Sequence, residues 1–445
     1  MAPMSRHTFP ALFSLLFTFA AGAAGPTRDQ MVLTDRDDVL GGGRWIYGDL
    51  DKGLAEGKKT GKPLLVVLRC VPCDACKAFD SDVLRSDAEL QKLMERFVRV
   101  RIVQGNGLDL SLFQFDTDLS FAAFFLNGDR TVYGRYGTRS DRKHAEKDIA
   151  MEGFRAALAG ALELHKNYPK NKAELAGKQP LPVKFKTPEQ YPSLSAKYSS
   201  SLNYATGKVA ASCIHCHQLG EAQRAIFRAE KQVMPDEVLH PYPMPDVIGL
   251  SLDPKTKAKI SSVATGSAAE KAGFRAGDEL LSLAGQPVLS IADVQWALHH
   301  AKSPATLDAT VQRGGRKQKL SIELAPSWRQ RSDIAWRATT WDLRRIGFGG
   351  LVLKDLTDEE RQTARLAESV LGLRVDHVGQ YGEHAVAKKS GFQKNDIITS
   401  FDGSTQRQTE SDLLRHVLQQ RKTGERIPVT VLRKGSPVEM VLPVQ

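Results

Sequence analysis

The C-terminal part of this chain carries one block of residues twice. The first copy reads Ala268-Ala269-Glu270-Lys271-Ala272-Gly273-Phe274-Arg275-Ala276-Gly277-Asp278-Glu279-Leu280. The second reads Ala385-Val386-Ala387-Lys388-Lys389-Ser390-Gly391-Phe392-Gln393-Lys394-Asn395-Asp396-Ile397. Apolar positions recur at helical spacing ahead of each Gly-Phe, and an apolar strand pattern follows each Asp. A second helical pattern comes next, over 291–301 in one copy and 411–419 in the other. Each copy then closes on a hairpin, with turns at Arg313-Gly314-Gly315-Arg316 and Arg433-Lys434-Gly435-Ser436. Such a duplication forces two similar small α+β units into this part of the chain.

The pattern A-x-x-A-G-F-x-x-G-D-x-L resembles bacterial PDZ domains, over residues 246–327 and 343–445. The resemblance implies peptide C-termini as partners, bound by adding a strand beside a helix. The matching carboxylate-loop residues are Ile248, Gly249 and Leu250 in the first copy and Gly349, Gly350 and Leu351 in the second. The second copy departs from the pattern, with Asn395 for glycine and an insert near 355–371. Trp328, Trp336 and Trp341 fall in or at the end of the 328–342 connector and are expected to dock the two copies.

Upstream, the apolar run Leu64-Leu65-Val66-Val67-Leu68 leads into Cys70-Val71-Pro72-Cys73-Asp74-Ala75-Cys76. Phe79 and Val83 then sit four apart, which predicts strand, turn and amphipathic helix. A helix N-terminus stabilises a thiolate. Cys73 is therefore the expected nucleophile and Cys76 its resolving partner, with Cys70 as a third thiol or soft ligand. A structural disulfide or a metal site are the alternatives. Helical segments over 49–58, 87–94 and 148–165, a strand over 97–103 and a hairpin around Asn127-Gly128 complete the region. The order resembles the thioredoxin-like fold over 44–168. In that family a cis-proline faces the dithiol; here Ser120 takes its place, and Asp74-Ala75 replaces the usual Gly-Pro. Both departures leave room for a soft metal such as Cu(I) on Cys70, Cys73 and Cys76.

A Lys- and Pro-rich stretch over 169–196 reads as a semi-extended linker. Behind it comes Cys213-Ile214-His215-Cys216-His217, the C-x-x-C-H pattern of c-type haem attachment. On that reading Cys213 and Cys216 carry haem c, His217 binds the iron, and residues 197–245 form a short haem-binding helical segment. Met234, His240 and Met244 are candidate sixth ligands, with Met244 preferred for its rigid Pro241-Tyr242-Pro243-Met244-Pro245 setting. A second disulfide, or zinc using His215 or His217, are the alternatives.

Residues 1–23 combine Arg6, a short apolar core and Ala21-Gly22-Ala23, the pattern of a cleaved secretory signal. Residues 24–43 read as a flexible lead-in ending in Gly41-Gly42-Gly43. The net charge is +11, but basic and acidic residues interleave and no basic run carries aromatics, so nucleic acid is an unsuited partner. All five cysteines lie in the two clusters, which excludes a scattered disulfide framework.

The whole is similar to a bacterial family that fuses an exported thioredoxin-like domain to PDZ repeats, some members carrying selenocysteine in the thiol motif. The fold class expected is multidomain α/β and α+β. The function expected is a periplasmic or otherwise extracytoplasmic thiol–disulfide redox protein. It would recruit partners through PDZ domains and pass electrons to haem. The alternative is a Cu(I)-binding scaffold. A PDZ-containing serine protease is disfavoured, since no Gly-x-Ser-Gly context is present.

Overall fold

The computed structural model describes residues 25–71, 77–84, 88–141 and 147–445. Cys73, Cys76 and the signal-like segment lie outside the described residues. The first part runs α1 (Arg28–Gly41), β1 (Ile46–Tyr47), α2 (Leu50–Thr60), β2 (Leu64–Arg69), α3 (Lys77–Leu84) and α4 (Ala88–Met94). It continues with β3 (Val98–Ile102), β4 (Phe121–Leu126), β5 (Val132–Tyr136) and α5 (Met151–Lys166). The strands form one sheet in the order β1-β3-β2-β4-β5. β1, β3 and β2 run parallel; β4 and β5 add antiparallel.

β2 is buried along its whole length, as a central strand covered on both faces must be. Its alternate residues serve two cores. Leu64, Val66 and Leu68 meet Val98, Val100 and Phe124. Leu65 and Val67 meet Val83, Phe125, Phe154 and Leu158. The same two-sided burial makes the charges of β3 conspicuous. Arg101 is fully buried and held by two carboxylates, Asp80 of α3 at 2.7 Å and Asp35 of α1 at 2.6 Å. Burial works against its charge; hydrogen bonds and the charges of Asp80 and Asp35 outweigh that and raise its pKa. Asp80 also accepts from Arg69 Nε at the end of β2, 3.2 Å away.

The 24–43 stretch is therefore not a flexible lead-in. A capping box joins Thr27 and Gln30 at the start of α1, and Val32 and Val39 are buried. The 169–196 stretch is likewise packed rather than extended. It holds 3₁₀ turns over Lys172–Lys178 and Pro188–Gln190 and the single turn α6 (Pro192–Ser195). After α7 (His217–Ala229) and α8 (Asp236–Leu239) the duplicated units begin.

The first copy contains β6 (Leu250–Leu252), β7 (Ile260–Val263), α9 (Ala268–Lys271), β8 (Glu279–Leu283) and β9 (Gln286–Pro287). It ends in α10 (Ile291–His300), β10 (Ala305–Arg313) and β11 (Arg316–Leu324). The second follows α11 (Thr340–Phe348) with β12 (Leu351–Asp355), α12 (Asp358–Thr363), β13 (Leu373–Val378) and α13 (Val386–Lys389). It ends in β14 (Ile397–Phe401), α14 (Glu410–Gln420), β15 (Arg426–Arg433) and β16 (Ser436–Pro443).

The repeated aspartate has a physical reason in both copies. Asp278 accepts from Arg313 Nε at 2.7 Å, and Asp396 from Arg433 Nε at 2.8 Å, so each block is tied to its hairpin. Asn395 replaces Gly277 without loss, because asparagine tolerates the left-handed φ of 72° found there.

The tryptophans do not dock the two copies as a set. Trp328 enters the core of the first copy. Trp336 lies beneath Arg139 of the thioredoxin-like part, and Trp341 stacks on His384 of the second copy. Arg337 of the connector instead ties it to the thioredoxin-like part, pairing with Asp116 at 2.6 Å and Asp118 at 3.3 Å, all three buried.

Removing one partner from a buried charge group leaves the others uncompensated. Arg101→Met is expected to destabilise the N-terminal unfolding transition by about 3–5 kcal/mol in urea titrations. Asp35→Asn, which leaves Asp80 on Arg101, is expected to cost less.

Candidate functional site

The end of β2 and the end of β3 lie side by side, with Leu68 opposite Ile102. Cys70 follows β2, and its N–H donates to the Ser120 carbonyl at 3.0 Å. Arg69 Nη1 reaches the same carbonyl at 3.1 Å. Ser120 thus stands beside the start of the cysteine stretch, where the fold resemblance put it.

The C-x-x-C-H segment is packed onto this end of the sheet. Gly105 N–H donates to the Ile214 carbonyl at 2.8 Å, and Ile214 N–H donates to Asn106 Oδ1 at 2.7 Å. Asn106 Nδ2 reaches the Ser212 and Ser199 carbonyls at 3.0 and 2.7 Å. Gly105 is required here, since a Cβ would lie 2.8 Å from the Ile214 oxygen. The Cys213 sulfur lies 4.0 Å from the Val103 carbonyl oxygen. Its side chain packs among Val32, Leu202 and Val209, and Val71 leans on the same cluster. His215 Nδ1 is 3.4 Å from the Cys70 sulfur.

Cys70, Cys213 and Cys216 therefore meet at one end of the thioredoxin-like sheet. Burial, then the like charge of Cys70, pushes the Cys213 thiol up to about 12. Burial, Cys70 and Cys213, in that order, push Cys216 up as well. Cys216 stands at the N-terminus of α7, where the helix dipole favours a thiolate, but burial dominates. Burial and the neighbouring charge of His217 lower the pKa of His215. His217 Nδ1 sits 3.2 Å from Glu221 Oε1, one turn along α7, and its ring stacks on His215.

The arrangement does not fit a haem. Cys213 is 3% exposed, and a porphyrin joined to both sulfurs would have to displace Val32, Leu202, Val209 and the Cys70 strand end. Met244 belongs elsewhere: its sulfur accepts from Thr138 Oγ1 at 3.1 Å, next to Gln295 of α10. His240 is buried by the connector, and Met234 enters the core of the second copy. Among the described residues no group of three or more His, Cys, Asp or Glu is placed to hold a metal ion.

The two peptide grooves differ. In the first copy Gly249 takes a φ of 87°, and β6 pairs with β7 alone, leaving its other side as a sheet edge. In the second, Gly349 and Gly350 N–H groups cap α11 on the Arg345 and Arg344 carbonyls, as the Gly249 N–H caps the preceding 3₁₀ turn on Asp246 in the first. Leu353 N–H, on the edge of β12, donates to Glu410 Oε1 at 2.8 Å, and Arg344 pins that carboxylate. Sequence reasoning missed Glu410. Its place at the start of α14 matches Ile291 of α10, and an acid where the first copy has an apolar residue was the available signal.

A thioredoxin-like family profile matches residues 45–128, and a PDZ domain profile matches residues 246–324 and 372–444. The chain thus has one thioredoxin-like domain and two PDZ domains. It is 28% identical over 189 residues to a probable periplasmic serine endoprotease DegP-like of Marinomonas sp., covering 42% of this chain and 37% of that protein. A protein of the same description from Hahella chejuensis is 24% identical, covering 42% and 38%. The chain therefore spans well under half the length of these curated relatives. Among solved structures, the PDZ domain of EpsC from Vibrio cholerae is 20% identical, covering 22% of this chain and 95% of that one, with a TM-score of 0.16. No helix among the described residues is long and apolar enough to cross a membrane.

If Gly105 sets the approach of the C-x-x-C-H segment, Gly105→Ala will loosen it. Loss of about 1 kcal/mol raises the open population about fivefold. Alkylation of Cys213 in the native state should speed up by that factor, read by mass spectrometry.

Proposed function

We propose that this chain is an exported thiol–disulfide exchange protein that recruits its client through the first PDZ domain. One observation carries the reading: a second cysteine pair is fastened against the end of the thioredoxin-like sheet, beside Cys70 and next in sequence to the Cys73–Cys76 stretch. A pair with a merely structural role elsewhere would have no reason to be held there by the Gly105–Ile214, Ile214–Asn106 and His215–Cys70 contacts and an obligatory glycine. Export accords with the signal-like start and with relatives described as periplasmic. In this reading Cys73 attacks the client disulfide and Cys76 resolves the mixed disulfide.

Trapping tests it. Full-length protein with Cys76→Ser should accumulate mixed disulfides with a disulfide-bonded model protein, visible on non-reducing gels. Cys73→Ser/Cys76→Ser should trap none. Equal trapping by the two variants would defeat the redox reading.

Recruitment is assigned to the first copy because the second has its strand-edge donor occupied. A peptide carbonyl paired with β12 would need the Leu353 N–H that Glu410 already accepts. The second domain then acts as a structural unit. Ile291→Glu, which copies that acid into the first domain, should weaken binding of a free C-terminal peptide about tenfold, or 1.4 kcal/mol. Glu410→Ala should leave it unchanged in fluorescence polarisation. Amidated peptides should bind more weakly than free acids; equal binding would refute the carboxylate loop at Ile248, Gly249 and Leu250.

A further inference from the structure

We propose that Cys70, Cys213 and Cys216 form a second thiol-exchange centre, in which Cys70 exchanges with a Cys213–Cys216 disulfide across the seam between the thioredoxin-like domain and α7. The inference deepens the redox reading but does not depend on the Cys73–Cys76 pair.

The geometry begins with the strand ends. β2 and β3 are parallel neighbours, and such strands lie about 4.8 Å apart. Cys70 is two residues past Leu68, and Val103 is one past its partner Ile102. Cys213 sits on the Val103 carbonyl, so its sulfur lies one strand over from the Arg69–Cys70 backbone. Val71, next to Cys70, touches the cluster that contains Cys213. Cys213 is extended and Cys216, three residues on, caps a thirteen-residue helix. His215, between them in sequence, turns its Nδ1 to Cys70 at 3.4 Å. The contacts from Gly105 and Asn106 fix the segment in this pose.

The step balances within these groups. Cys70 passes its proton to His215 Nδ1, and its sulfur attacks Cys216. The Cys70–Cys216 bond forms as the Cys213–Cys216 bond breaks. The electron pair stays on Cys213, which takes up the proton from His215. One disulfide replaces another, so no oxidant or reductant is consumed.

The test uses the full chain with Cys73→Ser and Cys76→Ser, so that only three thiols remain. It is oxidised with glutathione disulfide, quenched in acid, alkylated, digested without reduction and read by mass spectrometry. The expected product joins the Cys70 peptide to the peptide holding Cys213 and Cys216, with one alkylated thiol. Adding Cys70→Ser should leave only the internal Cys213–Cys216 disulfide, which also shows that the segment still folds. His215→Gln should slow the cross-link about a hundredfold, the usual scale of proton transfer by a positioned group. An unchanged rate would remove His215 from the centre. Finding only the internal disulfide, or glutathione adducts without a link to Cys70, would overturn the proposal. So would a Soret band in protein from a haem-attaching host, since both sulfurs would then be thioethers. A failed client trap with an intact cross-link would sink the client reading alone; the reverse pattern would sink this centre alone.

Discussion

Arg101 is the interaction on which the thiol end of the molecule depends. It is a cation in the middle of a sheet covered on both faces, where an unpaired charge would be driven out. Asp80 and Asp35 hold it from α3 and α1, which also share an apolar cluster through Val83 and Val39. Asp80 binds Arg69 as well, and Arg69 reaches the Ser120 carbonyl. The network therefore ties together α1, the ends of β2 and β3, the residue before β4, and the helix that follows the cysteine stretch. Buried ion groups add little net stability but penalise every arrangement that separates them. Here that penalty fixes where Cys70 stands, and α1 in turn supplies Val32 to the pocket that holds Cys213.

The rest of the chain is fastened to this sheet by the same kind of contact. Asp293 of α10 is fully buried against Lys178 of the preceding 3₁₀ turns, 2.8 Å away, and also accepts from Arg135 N–H of β5. The Arg135 guanidinium lies 3.7 Å from the centre of the Trp296 ring. Ser290 Oγ donates to the Arg135 carbonyl at 2.6 Å. α5 comes so close to the first PDZ domain that a Cβ on Gly153 would collide with the Pro254 carbonyl. The helix that borders the first peptide groove is thus locked to the thioredoxin-like sheet. A client held in that groove would keep a fixed relation to the thiol end, which a flexible tether could not give.

Local chemistry made much of this legible in advance. The β2 run, the Asn127-Gly128 hairpin and the two Gly-x-x-x-x-Asp blocks each announce themselves within a dozen residues, because turns and amphipathic periods are local properties. α1 was hidden by Gly41, Gly42 and Gly43, which close the helix rather than dissolve it. The meeting of Cys70 with His215 spans 145 residues and leaves no local trace. Two clues were present all the same. Arg99 and Arg101 in a strand otherwise made of Val and Ile demanded buried partners. A C-x-x-C-H motif points to haem only if the fold leaves its sulfurs an open face, and that is a tertiary fact.

The electrostatics of the two sulfur groups set a direction for the proposed exchange. Burial raises the thiols of Cys213 and Cys216, so their thiolates are costly at neutral pH. Exchange with Cys70 moves the bridge to Cys70–Cys216 and leaves Cys213 as the protonated thiol, the form that its burial favours. One disulfide stays among the three sulfurs throughout, and Cys70 and His215 give the buried pair its route to the rest of the chain.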